Sequence, residues 1–260
     1  MDLEIAGRVA IVTASSHGLG QACALHLARA GCRLVMNGRD AGDLDRAADA
    51  IRAETGARVD AVAGNVGDPA THAALIDAAD GQADILVNNN GGPPARPWRE
   101  LDEAAVRAGI EANMVAPIAL VRGVVDGMVA RRWGRIVCIT SGSAKMPLPG
   151  LDLSSGARLG LTGFLAGVAR DVAGNGVTIN FLLPGAFDTR RIAQLDARAA
   201  ERDGITAEEA RMRRFALIPA RRLGRPSEFG AACAFLCSTH AGYLTGQSLL
   251  IDGGAYPGVL

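Results

Sequence analysis

Residues 8–30 read RVAIVTASSHGLGQACALHLARA. Val9, Ala10, Ile11 and Val12 form a short unbroken apolar run, the pattern of a strand buried on both faces of a parallel sheet. Ala22, Leu25, Leu27 and Ala28 then recur at helical spacing. Between them, Gly18 and Gly20 let the backbone approach a ligand at a helix N-terminus. Unpaired N–H groups and the helix dipole favour a phosphate there. The stretch is therefore a strand, a glycine turn and a helix that together open a βαβ unit. Ala14 stands where a dinucleotide turn has its first glycine, and alanine fits only if the backbone there avoids positive φ.

Outward from this turn the chain alternates strands and helices. Arg33–Asn37 is the second strand, followed by a helix from about Asp43 to Glu54 with Leu44, Ala47, Ala48 and Ile51 on one face. Val59–Ala63 is the third, and Asp68-Pro69 starts the next helix. Ala83–Asn88 is the fourth strand and runs into Asn89, Asn90, Gly91 and Gly92. A parallel strand ending in small polar residues puts backbone at the carboxyl edge of the sheet, where ligands bind. Helical patterns cover about 103–131 with Asn113 in the middle. Arg135–Thr140 is the fifth strand and ends at Ser141; a helix follows from about Ser154 to Ala173. Val177–Leu183 is the sixth, closed by Pro184 and Gly185. Residues 186–222 are arginine-rich and helical in pattern, a lid-like excursion over the sheet edge. Ser227 is expected to cap a helix, and Ser248–Ile251 is the last strand. The expectation is one domain over 1–260: an α/β, doubly wound Rossmann fold with a seven-stranded, mostly parallel sheet and helices on both faces.

Composition narrows the function classes. Of the 260 residues, 49% are hydrophobic and 21% charged, and the formal net charge is zero. Electrostatics thus offers no case for nucleic acid or an anionic membrane as partner. No unbroken apolar run reaches the roughly 18 residues of a membrane span. MDLEIAGR at the start lacks the regions of a signal peptide, so a cytoplasmic location is expected. The five cysteines (Cys23, Cys32, Cys138, Cys233, Cys237) make no CxxC pair and read as reduced core residues, with no metal site. Lys145 is the single lysine.

Gly38 and Arg39 end the second strand about 20 residues past the glycine turn. An acidic residue there would hold the ribose hydroxyls of NAD, whereas arginine suits the 2′-phosphate of NADP. Arg39, with His17, therefore favours NADP(H) over NAD(H), and Asp40 is placed to cap the following helix.

Taken together, the chain resembles a short-chain dehydrogenase/reductase, and most closely the branch of 3-oxoacyl-acyl-carrier-protein reductases. The resemblance spans nearly the whole chain. Thr13 with Gly18 and Gly20, Asn88-Asn89-Asn90-Gly91, Asn113, Ser141, Asn180 with Pro184-Gly185, Asp188-Thr189, Thr245-Gly246-Gln247 and Asp252-Gly253-Gly254 carry it. It implies that Thr13, Ser15, Ser16 and His17, with Gly18, Leu19 and Gly20, cradle the cofactor. Asn89, Asn90 and Gly91 would line the adenosine ribose, Asn65 and Val66 would flank the adenine, and Pro184, Gly185 and Thr189 would meet the nicotinamide. Asn90 departs from the family's usual alanine and Asn65 from its usual aspartate. The resemblance also implies a homotetramer, with helices around 104–131 and 154–173 packed across a two-fold axis.

One departure is chemical. The family's Tyr-x-x-x-Lys begins about 13 residues after its active-site serine, and that count from Ser141 falls on Ser154, with Arg158 four further on. Tyr243 and Tyr256, the only tyrosines, lie elsewhere. The family's catalytic tetrad thus reads Asn113, Ser141, Ser154, Arg158. A serine hydroxyl is a far weaker acid than a phenol, while Arg158 can still hold the nicotinamide ribose and favour an oxyanion. Two function classes follow. One is an NADP(H)-dependent oxidoreductase acting on a small carbonyl or alcohol substrate, an acyl thioester among the choices, with water, Lys145 or Asp152 supplying the proton. The other is a nucleotide-binding regulatory or assembly protein.

Overall fold

The computed structural model describes residues 1–93 and 95–258. Its strands are β1 (Val9–Val12), β2 (Arg33–Gly38), β3 (Val59–Ala63), β4 (Ile85–Asn88), β5 (Gly134–Ile139), β6 (Val177–Pro184) and β7 (Ser248–Ile251). All pair in parallel, in the order β3-β2-β1-β4-β5-β6-β7. The order reverses between β1 and β4, which opens a crevice beyond their carboxyl ends. The glycine turn after β1 and the asparagines after β4 both sit at that crevice.

Alternation along each strand divides the core in two. Ala10, Val12, Leu34 and Met36 pack with Leu27 of α1 (Gly18–Arg29), Leu44 of α2 (Ala41–Thr55) and Phe229 of α9 (Pro226–Leu236). Ile11, Val35, Leu86 and Cys138 face the other way. They meet Leu75 of α3 (Pro69–Ala78), Leu120 of α5 (Ala116–Ala130) and Leu161 of α6 (Asp152–Ala173). Side chains of successive residues point to opposite faces of a sheet, so strands covered on both sides read as continuous apolar runs.

The helical stretch before β5 is not continuous. It comprises α4 (Glu103–Ile110), a π-helical turn at Glu111–Val115 and then α5. By length and composition alone the run Glu103–Ala130 could cross a membrane, yet Leu120, Val121, Val124 and Met128 are buried against the sheet. Helix α6 begins at Asp152, two residues ahead of the expected start. Asp68 and Asp40 cap α3 and α2 as expected, each accepting a backbone N–H. Ser227 does not cap α9: the cap is Arg225, with Pro226 in the first turn. Proline fits there because its missing N–H is not needed, and the Glu228 carboxylate accepts the Arg225 N–H at 2.7 Å.

Residues 186–222 form α7 (Arg190–Asp203) and α8 (Ala207–Leu217). Ile192 and Ile218 of this segment form a small cluster with Leu223, just beyond it. A half-buried ion pair, Arg214 to the buried Asp196 at 2.6 Å, ties the two helices together.

Candidate active site

The glycine turn takes an unexpected backbone. Ala14 lies at φ 45°, a left-handed conformation that costs an alanine roughly 1 kcal/mol or more. The surroundings fix it from both sides. The Asn37 Oδ1 accepts the Ala14 N–H at 3.2 Å, and the Asn89 Nδ2 donates to the Ala14 carbonyl at 3.1 Å. Gly20 leaves room for that carbonyl, since a Cβ there would collide with it and with Asn89 Nδ2. So the expectation that Ala14 avoids positive φ is wrong, because two asparagines and a glycine compensate for its Cβ.

Thr13 joins the two sides of the crevice. Its hydroxyl donates to the Asn89 carbonyl at 2.6 Å and accepts the Asn89 N–H at 2.7 Å. The Ser15 hydroxyl donates to Val12 O at 2.8 Å, and the Ser15 N–H donates to Asn37 O at 2.7 Å. Asn37, buried at the end of β2, also donates to Val62 O and Gly64 O. No role was read for it from the sequence; the available signal was one polar residue closing an apolar strand.

These residues fit a dinucleotide. Gly18 sits at φ 59°, and α1 has no side-chain cap and no acidic residue in its first turn. Its N-terminal donors therefore remain available to an anion. A Cβ on Gly18 would lie 3.6 Å from the Thr189 methyl, so the α7 end of the excursion meets the turn directly. At the far end of the crevice, Gly38 is closely packed: a Cβ there would be 3.0 Å from Ser16 Oγ and 3.4 Å from Leu44. A side chain there, such as the acidic one that would select NAD, would have to displace Ser16. Arg39 beside it is exposed and makes no hydrogen bond or ion pair with another described residue. His17 instead contacts Asp43, Nε2 to Oδ2 at 2.6 Å, and Arg46 and Arg190 reach the same carboxylate. The His17 bond, the strongest influence, holds the Asp43 carboxyl below its usual range. Asn65 is exposed and accepts the Gly67 N–H, and Val66 next to it is buried.

At the ends of β4 and β5, Arg158 is the central group. It is only 6% exposed, yet its Nη1 donates to Ile139 O (2.6 Å), its Nη2 to Asn90 O (3.1 Å) and its Nε to Ser154 Oγ (3.3 Å). Every one of those acceptors is neutral. Burial, and secondarily the neighbouring Arg191, pulls its pKa down to about 10, which leaves it charged at neutral pH. Asn90 extends the network: its Nδ2 donates to Ala112 O at 2.6 Å, inside the π-helical turn. Widened turns of this kind free backbone groups and are frequent at functional sites. Asn113 lies in that turn, buried, with its Nδ2 on Gly109 O and its Oδ1 without a partner among the described residues. The turn rests on α6, where a Cβ on Gly160 would meet Met114 Sδ.

Ser141 follows β5, and its hydroxyl is 2.9 Å from Ser143 Oγ. Pro184 and Gly185 close the neighbouring strand, and a Cβ on Gly142 would lie 3.2 Å from Pro184 O. Arg191, not singled out from the sequence, donates from α7 to Pro93 O at 3.1 Å. The structure thus bonds Asn90, Ser154 and Arg158 into one cluster, and Asn90 reaches through Ala112 O to the turn that carries Asn113. Lys145 lies instead over the Tyr256 ring at 5.9 Å, and Asp152 is exposed in the first turn of α6.

The chain is similar to several known proteins. The family model described as Enoyl-(Acyl carrier protein) reductase matches residues 13–256. The 3-oxoacyl-[acyl-carrier-protein] reductase FabG of Escherichia coli is 33% identical over 253 residues, 96% of this chain and 98% of the relative. The acetoacetyl-CoA reductase of Cupriavidus necator is 32% identical over 255 residues, 96% and 99% of the two chains. Among solved structures, the L-sorbose reductase of Gluconobacter frateurii, complexed with NADPH and L-sorbose, superposes with a TM-score of 0.94. It is 29% identical, and both chains are covered in full.

Proposed function

We propose that this chain, which belongs to the short-chain dehydrogenase/reductase superfamily on its 3-oxoacyl-acyl-carrier-protein reductase-like branch, is an NADP(H)-dependent oxidoreductase. Its reaction is reduction of a ketone or 3-oxoacyl group, or oxidation of the corresponding alcohol. The observation that carries this reading is the buried Arg158, charged and bonded only to neutral acceptors beside Ser154. A fixed cation at the end of β5 stabilises negative charge developing on a carbonyl oxygen, and it needs no reorganisation to do so.

NADPH, when bound, supplies the hydride. Thr13, Ser15, Gly18 and Gly20 shape the turn that meets its phosphates, and Arg39 meets the 2′-phosphate. Thr189 and Pro184-Gly185 border the nicotinamide end. Ser141 donates to the carbonyl oxygen. Ser154 Oγ accepts from Arg158, so its own hydrogen is available for the oxygen that becomes an alkoxide. Arg158 remains protonated and acts by its charge, so the alkoxide takes its proton from Ser154, and water or a loop side chain returns a proton to Ser154. The excursion at 186–222 serves as a lid.

The NADPH complexes among its structural neighbours and its reductase relatives support this reading. Exposed apolar side chains on the two expected interface helices, Val106, Ile110, Leu159 and Phe164, support a homotetramer. Buried free cysteines suit a cytoplasmic protein. The test is binding of NADPH and NADH, followed by turnover with a panel of ketones and 3-oxoacyl thioesters. Tight NADPH binding with no turnover of any of them would leave the nucleotide-binding regulatory reading in its place.

A further inference from the structure

Ser143 is 1% exposed, in the short helical turn that follows Ser141. Its hydroxyl has one hydrogen-bond partner among the described residues, Ser141 Oγ at 2.9 Å. A buried hydroxyl left without an acceptor costs about 1–3 kcal/mol, so its proton goes to the acceptor within reach. The Ser143 N–H donates to the same oxygen at 3.1 Å. Ser141 Oγ therefore has both lone pairs taken up by one residue.

We infer that Ser143 is a positioning residue: its side-chain and backbone donors saturate Ser141 Oγ, so that Ser141 can only donate, with its hydrogen turned toward a substrate carbonyl oxygen. A serine between donor and acceptor roles would meet a carbonyl with a lone pair in part of its population. Two donors from Ser143 remove that population, which amounts to preorganisation for a developing oxyanion. The same arrangement disfavours a substrate that presents a hydrogen-bond donor at this point, so the carbonyl or alkoxide form is preferred over the neutral alcohol.

The catalytic half of this inference rests on the proposed oxidoreductase reading, but the hydroxyl direction can be measured without ligand or turnover. Neutron diffraction from deuterium-exchanged crystals of the protein should place the deuteron between the two oxygens on Ser143 Oγ. A deuteron on the Ser141 side, or one shared equally, overturns the inference. In turnover, Ser143→Ala should lower kcat about tenfold, the loss of roughly one hydrogen bond. NADPH affinity should not change, and Ser143→Cys, a weaker donor, should fall between. In a Ser141→Ala background, Ser143→Ala should add nothing, whereas equal losses in both backgrounds would mean a purely structural role. If Ser141→Ala itself leaves turnover unchanged, the oxidoreductase reading of this site fails and the catalytic part of the inference with it.

Discussion

Ser154→Tyr combined with Arg158→Lys should raise carbonyl reduction by about 10²–10⁴, the typical contribution of a positioned general acid, or roughly 3–5 kcal/mol of barrier. The remaining parts are in place: Ser141 at the end of β5 and Asn113 in the π-helical turn. Stability should move the other way. Arg158 bonds two buried acceptors and the half-buried Asn90 carbonyl, and a lysine ammonium at the same backbone position does not span all three. One acceptor left unpaired costs about 1–3 kcal/mol. Fitting a phenol where Ser154 is 7% exposed adds overpacking of about 1–3 kcal/mol. The sum, roughly 2–6 kcal/mol, is a large part of a typical domain's 5–15 kcal/mol, so the assay belongs well below the variant's Tm. NADPH consumption with 3-oxoacyl thioesters reads the rate, and NADPH binding confirms an intact cofactor site. The pH profile separates mechanisms. The unsubstituted protein should be nearly flat from about pH 6 to 9, because Ser154 does not ionise there and Arg158, with a pKa lowered to about 10, is still mostly charged. The double variant should acquire a phenol ionisation. A folded, NADPH-binding double variant no faster than its parent would refute the reasoning, and would mean that the pocket has been remodelled for another role.

Arg39→Ala should weaken NADPH binding at least tenfold more than NADH binding, an exposed charge-assisted phosphate contact being worth about 1.5–3 kcal/mol; equal losses in a calorimetric titration would dispose of the 2′-phosphate assignment. Burial pushes the Cys32 and Cys138 thiols up to about 12. Unfolded thiols ionise near 9, so their contribution to stability is full below about pH 9 and is lost as pH rises toward 12. Denaturant midpoints measured along that range should fall, and all five thiols should resist a thiol reagent until the protein unfolds. Sedimentation at micromolar concentration should return a tetramer, and Leu159→Glu with Phe164→Glu should dissociate it; a monomeric parent would contradict the assembly.

How much of this was legible in the sequence depended on the range of the interaction. The seven strands, the glycine turn and the caps by Asp40 and Asp68 follow from hydrophobic period and local hydrogen-bonding chemistry, which act within a few residues. The wrong α9 cap and the shift in the start of α6 belong to the same range, where Pro226 and Asp152 compete with neighbours of similar propensity. The positions of Ser154 and Arg158 could be counted from Ser141, but their environment could not. That Arg158 is buried among Ile139 O, Asn90 O and Ser154 Oγ depends on β4, β5 and α6 converging. Ala14 shows the limit most clearly. Local sterics disfavour its backbone, and Asn37 on β2 and Asn89 after β4, 23 and 75 residues away, hold it in place. The break at Asn113 is of the same kind, since the periodicity of 103–131 is helical throughout. There the Asn90 amide, brought alongside by the parallel sheet, donates to Ala112 O inside the widened turn. Sequence alone determined the elements and their chemistry at short range. The tertiary structure decided which strained backbones and buried charges are tolerable, because their compensating partners arrive from other strands.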